Sequence, residues 1–214
     1  MRRQEGLWRV PALWPKGECF ILGGGLSLRD VNLGLLKGRR VIAVNNAYKL
    51  GDWIDVMFFG DCRWLNQYGA GLLDFAGLKV TTCEKHLDKP GIKVVKRRNT
   101  PHGISRDPGI LSWNLSSGAC AINLAYHFGV KRIILLGFDM KKNGDKHNWH
   151  DDYEPHHSKF NPYGRFMRPF PHIAEDLKRL NVECVNAAPR SALDVFPRVK
   201  LEDVLKVERM VKNE

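Results

Sequence analysis

The sequence predicts an α/β fold with a mainly parallel central sheet and helices on both faces. Three observations carry this. Across the 214 residues, short apolar runs bounded by Gly or Asp alternate with longer helical patterns. The run Arg132-Ile133-Ile134-Leu135-Leu136 is apolar on both faces, as a central parallel strand must be. The loop Gly23-Gly24-Gly25-Leu26-Ser27 stands between the first apolar run and the first helical pattern, where open α/β sheets receive the phosphate of a nucleotide.

Element by element, the first strand is expected at Cys19–Leu22 and a short helix from Leu28 or Asp30 to Leu36. Strands follow at Arg40–Val44, Asp55–Phe59, Lys79–Cys83 and Ile92–Val95, with a helix between Trp64 and Phe75. Ser116-Ser117-Gly118 caps a helix through Phe128, whose Ala121, Ile122, Ala125 and Phe128 share a face. After Arg132–Leu136, residues 141–171 lack any clear period and form a long loop over the site. A helix resumes near Pro171, a last strand is Val182–Val185, and a C-terminal helix begins near Leu201. No repeat or low-complexity tract divides the chain. Residues 1–18 are read as an N-terminal extension and 19–214 as one nucleotide-binding domain.

Composition narrows the function classes. Hydrophobic content of 43% and charged content of 27% are those of an ordinary globular protein. No apolar run approaches the roughly 18–20 residues of a membrane span. The stretch from Met1 to Trp8 is basic but lacks the apolar core of a signal peptide, so a cytoplasmic protein is expected. Five cysteines without a Cys-x-x-Cys pair, several of them in apolar runs, are expected to be reduced and buried. The excess of 34 Lys and Arg over 23 Asp and Glu, a formal +11, favours anionic partners such as phosphorylated substrates or nucleic acid. No arginine-rich tail concentrates that charge.

Polar residues collect where strands end: Gly23, Gly24, Gly25 and Ser27 after the first, Asn45 and Asn46 after the second, Asp61 after the third. Asp139 follows the Arg132 strand and Asn186 the last. Ligands of open α/β sheets bind outside these carboxyl ends, so the segments converge on one rim. The glycine loop has neither the Lys and Ser/Thr of a P-loop nor the spacing Gly-x-Gly-x-x-Gly. Asn45, 20 residues after Gly25, stands where dinucleotide folds place an acidic ribose contact, which argues against NAD.

Four of the eight histidines fall within His147–His157. Three readings fit this stretch. It is a solvated polar loop, or a general acid or base with His150 oriented by Asp151 or Asp152, or a divalent-metal site of His147, His150 and an aspartate. The spacing matches no established zinc signature.

The segments Cys19–Leu28, Ala43-Val44-Asn45-Asn46, Phe59-Gly60-Asp61, Ser117-Gly118 through Met140, His147-Asn148-Trp149-His150 and Asn186–Leu193 form an ordered set. Over roughly Cys19 to Val204 this set resembles a group of tailed-phage proteins. More distantly it resembles bacterial CMP-sialic-acid-dependent sialyltransferases and 6-hydroxymethylpterin pyrophosphokinase-like proteins. The resemblance implies a Rossmann-like fold whose nucleotide contacts are Gly23, Gly25, Ser27 and Asn45, with Ser116 and Ser117 nearby. It also implies a histidine base at His150 or His147, and Tyr153 and Tyr163 on the leaving phosphate. Gly24 stands where the sialyltransferases have Asn and Leu26 where they have Pro, which leaves the base of the nucleotide unassigned.

The expected function is a phage-type glycosyltransferase in the host cytoplasm. It takes a CMP- or UDP-type nucleotide-sugar as donor and an anionic hydroxyl acceptor, modified DNA among the candidates. Catalysis falls to His150, His147, Asp152 and Tyr153, and nucleotide binding to the glycine loop, Asn45, Asn46, Asp61, Ser116, Ser117, Gly118 and Asp139. One alternative is a pyrophosphokinase-like enzyme with Mg²⁺ held by Asp61, Asp139 and Asp152. Another is a non-enzymatic nucleotide- or nucleic-acid-binding phage protein that relies on Arg97 and Arg98.

Overall fold

The computed structural model describes residues 6–72, 74–144, 146–153 and 161–211, with only the backbone for residues 207–211. Seven strands form one parallel sheet: β1 (Glu18–Leu22), β2 (Val41–Val44), β3 (Val56–Phe59), β4 (Leu78–Thr81), β5 (Ile92–Val94), β8 (Arg132–Leu136) and β9 (Glu183–Asn186). Their order is β5-β4-β3-β2-β1-β8-β9. The chain therefore steps outward from β1 to β5, then returns to the far side of β1. This reversal opens a crevice at the carboxyl ends of β1 and β8, which run in register from Glu18 opposite Arg132 to Leu22 opposite Leu136. The fold is α/β and Rossmann-like.

Alternation along the strands fills both faces, because successive side chains point to opposite sides of a sheet. Cys19 and Ile21 of β1, Ile42 and Val44 of β2, and Ile133 and Leu135 of β8 enter one core. Helices α2 (Ser117–His127) and α4 (Phe170–Arg179) cover that core. Phe20, Leu22, Ala43, Met57, Ile134 and Leu136 enter the other, beneath Trp64 of α1 (Cys62–Tyr68) and Leu201, Val204 and Leu205 of α5 (Leu201–Val211). Residues before β1 are stitched across the first face: Trp8 N–H donates to the Val94 carbonyl, and Trp14 packs on Phe128 with ring centroids 4.6 Å apart.

The structure departs from the sequence reading in four places. The expected helix before β2 is two 3-10 turns, Leu26–Asp30 and Leu33–Leu36. Asn32 breaks it, since its side chain accepts the Gly34 N–H and so competes with helical bonding. Two short strands, β6 (Lys96–Arg98) and β7 (Ile110–Ser112), make a separate parallel pair. Within 141–171 there is regular structure after all: α3 spans Tyr163–Met167 and α4 begins at Phe170.

The fourth departure concerns the cysteines. Cys62 and Cys83 form a disulfide, while Cys19, Cys120 and Cys184 are free and buried. Phe59 of β3 and Thr81 of β4 are paired in register. The chain leaving each strand therefore brings Cys62 and Cys83 to the same rim, with Cα atoms 5.2 Å apart. A pairing across neighbouring strands leaves no Cys-x-x-Cys trace.

Among the described residues, no helix is long and apolar enough to cross a membrane.

Candidate functional site

The glycine loop lies at the crevice between β1 and β8, and its glycines serve close approach. A Cβ at Gly23 would lie 2.6 Å from the Gly137 carbonyl oxygen, and one at Gly25 would lie 2.5 Å from Asp139 Cγ. Asp139 sits against Gly25 and accepts from Ser27 twice: from its backbone N–H at 2.9 Å and from its hydroxyl. The loop and the 3-10 turn that follows it thus hold a carboxylate of the protein itself, where the sequence reading expected the phosphate of a nucleotide. Gly25→Ala should place a methyl group into that carboxylate and cost about 1–3 kcal/mol of folding stability, as overpacking does; thermal or denaturant unfolding measures it.

The histidine loop rests on the glycine loop. Trp149 N–H donates to the Gly24 carbonyl at 3.0 Å, and Arg29 Nε donates to the Trp149 carbonyl at 2.6 Å. Asn148 Oδ1 would be 2.9 Å from a Cβ at Gly24, so a side chain there would displace the Asn148 amide.

His150 is buried at the inner edge of this loop, its side chain 8% exposed, with its ring edge-on to Tyr153 at 4.5 Å and to Trp149 at 5.0 Å. Burial lowers its pKa below the usual imidazole value of 6.5, against the opposing pull of the Asp152 carboxylate. His150 Nδ1 faces two groups of Asp152: it accepts the backbone N–H at 3.3 Å and stands 3.8 Å from carboxylate Oδ2. That carboxylate is itself fixed. Its Oδ2 accepts from Lys49 Nζ at 2.7 Å and from Asn46 Nδ2 at 2.6 Å, and the Lys49 hydrogen bond holds the Asp152 carboxyl below its ordinary range.

Asn46, expected on the nucleotide, is 1% exposed and spends both ends of its amide inside the protein. While Nδ2 holds Asp152, Oδ1 accepts from Trp64 Nε1 at 2.9 Å and from the Tyr153 hydroxyl at 3.2 Å. Tyr153 is likewise turned inward, accepting from Trp64 Nε1 at 2.9 Å, and burial raises its pKa. Asn46, Trp64 and Tyr153 brace the histidine loop. Trp64, Lys49 and Arg29 escaped the sequence reading because each acts through a partner about 90 or more residues away.

The remaining expected residues lie as follows. Asn45 has φ +53° at the end of β2, and its Oδ1 is buried with no hydrogen-bond partner among the described residues; Trp149 Nε1 is in the same condition. Ser116 caps α2 by accepting the Ala119 N–H, and Ser117 Oγ accepts the Gly60 N–H at 3.2 Å. Gly118 faces the Phe138 ring, which also borders Gly23, so the amino end of α2 adjoins the glycine loop. Asp61 caps α1 through the Arg63 N–H and is exposed. His147 is buried against Tyr163, whose hydroxyl donates to the His147 carbonyl and whose pKa burial pushes up to about 12. His156 and His157 lie outside the described residues.

Asp61, Asp139 and Asp152 are thus engaged at three separate places: an α1 cap, the Ser27 turn, and Lys49 with Asn46. Among the described residues no three His, Cys, Asp or Glu side chains group to hold a cation. The pyrophosphokinase alternative would need Mg²⁺ at carboxylates that stand in separate places here. The chain matches no protein-family model and no curated protein.

Proposed function

We propose that the protein transfers a sugar from a CMP- or UDP-type nucleotide donor to a hydroxyl of an anionic acceptor, with His150 as general base. The observation that carries this reading is the setting of His150. It is an imidazole whose pKa burial lowers, backed by an anchored carboxylate, on a loop bonded to the glycine loop at the sheet's switch point.

For Nε2 to accept the hydroxyl proton the ring must carry its own proton on Nδ1, so Nδ1 must exchange the Asp152 backbone N–H that it accepts for a hydrogen bond to Asp152 Oδ2, which stands 3.8 Å away. The acceptor oxygen then bonds to the anomeric carbon of the donor. The bond from that carbon to the phosphate oxygen breaks, and its electron pair leaves with the nucleotide. The amino end of α2, with the Ser117 and Gly118 amides, lies beside the glycine loop and favours the charge of the departing phosphate. Asn45 Oδ1 and Trp149 Nε1, buried polar atoms without hydrogen-bond partners among the described residues, would give the donor an acceptor and a donor of hydrogen bonds.

Isothermal titration with CMP, UDP and their sugar conjugates tests the reading. Binding of one nucleotide-sugar, weakened by Asn45→Ala, is expected; heat from none of them would remove the reading.

A further inference from the structure

Beside the glycine loop, the same rim carries a basic trough, one end of which reaches Ser27 and Asp139. One cleft of about 200 Å³ lies between the Leu26–Asp30 turn and Lys141, Lys142 and Arg190. A second, of about 410 Å³, is lined by Arg190, Arg198 and Lys200. Pro189 and Arg190 border both, so the two adjoin.

The local fold delivers these cations. Met140, with φ +51°, turns the chain leaving β8 so that Lys141 and Lys142 follow the rim, and Arg190, with φ +55°, does the same after β9. The segment carrying Arg198 pairs with the end of β9: Asn186 N–H donates to the Pro197 carbonyl and Val199 N–H to the Asn186 carbonyl. Arg198 also donates to the Ser191 carbonyl, which fixes its guanidinium at the trough wall. Among the described residues, five cations and three carboxylates line the trough. Asp139 is held by Ser27, Asp203 stands 3.6 Å from Lys206, and Asp30 stands 3.9 Å from an Arg190 that is 83% exposed, a pairing of little strength in water.

We infer that this trough binds the phosphodiester backbone of a nucleic-acid strand. Two adjoining clefts with cations along both suit successive phosphates, each neutralised with release of condensed counterions. The Leu26–Asp30 turn lies between trough and histidine loop: Arg29 reaches Trp149 and Asp30 reaches Arg190. A strand in the trough therefore runs past the turn that borders the proposed transfer site. Only the naming of that strand as the acceptor rests on the transfer reading; its binding does not.

The test is fluorescence anisotropy of the full chain with labelled 20-nucleotide single strands and the matching duplex, from 50 to 200 mM salt. At least one form should bind. Each phosphate contact should add about −0.7 to the slope of log affinity against log salt for a single strand, or about −0.9 for a duplex. Lys141→Glu with Lys200→Glu, two exposed positions, should weaken binding more than tenfold and flatten the slope, and the milder Gln pair should act in the same direction. Arg97→Glu, on β6, and His150→Ala should leave affinity within twofold. Failure of both oligonucleotides to bind at 50 mM salt overturns the inference. So does loss on Arg97→Glu with the Lys141/Lys200 pair silent, or displacement of the strand by equimolar mononucleotide. If His150→Ala binds normally while no nucleotide-sugar binds the wild type, the transfer reading fails and the trough stands.

Discussion

Replacement of His150 by alanine should slow sugar transfer about 10²–10⁴-fold, the contribution of a positioned general base, and leave donor affinity nearly unchanged. The pH dependence separates this role from a structural one. Because burial lowers the pKa of His150, the base is unprotonated at neutral pH and the rate should fall on the acid side with a midpoint below 6.5. The Asp152 carboxylate acts against burial and raises that pKa. Asp152→Asn should therefore move the acid limb to still lower pH while also reducing the rate, since the Nδ1–H tautomer loses its acceptor. A merely structural histidine would show neither the acid limb nor its displacement. Stability follows the same sign. His150 and His127, both depressed by burial, refuse protons that the unfolded chain accepts, so folding stability should decline as pH falls below 6.5. Full activity of His150→Ala with saturating donor would end the base assignment.

The sheet was legible because parallel strands buried on both faces leave unbroken apolar runs, and Phe20–Leu22, Val41–Val44 and Ile133–Leu136 are such runs. The rim was legible for the same reason: the polar residue after each run marks a carboxyl end. What those residues touch was not. Asn46 and Ser27 look like ligand contacts in sequence, yet Asn46 braces Asp152, Trp64 and Tyr153, and Ser27 holds Asp139, 112 residues away. Short-range pattern carries no information on such distant pairs. The strands β6 and β7 escaped because three residues are too few to show a period, and Lys96-Arg97-Arg98 reads as solvated charge. Lys141 and Lys142 lie nearly 50 residues from Arg190 in sequence, and only the return of the chain to β8 and β9 gathers them into one trough.

Serine in place of both Cys62 and Cys83 should lower folding stability by about 2–4 kcal/mol, the usual worth of a disulfide closing a loop of this size. The two residues are 21 apart in sequence, and the bond joins the first turn of α1 to the segment after β4. For a chain of this length the loss corresponds to a melting temperature lower by about 4–16 °C. The consequence reaches the site. Trp64 lies two residues beyond Cys62 and donates its indole N–H to both Asn46 and Tyr153, the residues that brace the loop bearing His150. Loosening the start of α1 should therefore raise the KM or lower the kcat of transfer even at temperatures where the sheet is intact. Dithiothreitol should reproduce the effect on the wild type and do nothing further to the serine variant, because Cys19, Cys120 and Cys184 are buried thiols with no bond to reduce. Wild-type protein that melts at the same temperature with and without reductant would show that the Cys62–Cys83 bond does not tie α1 to the sheet, and that Trp64 is held by packing on Phe59 and Tyr48 instead.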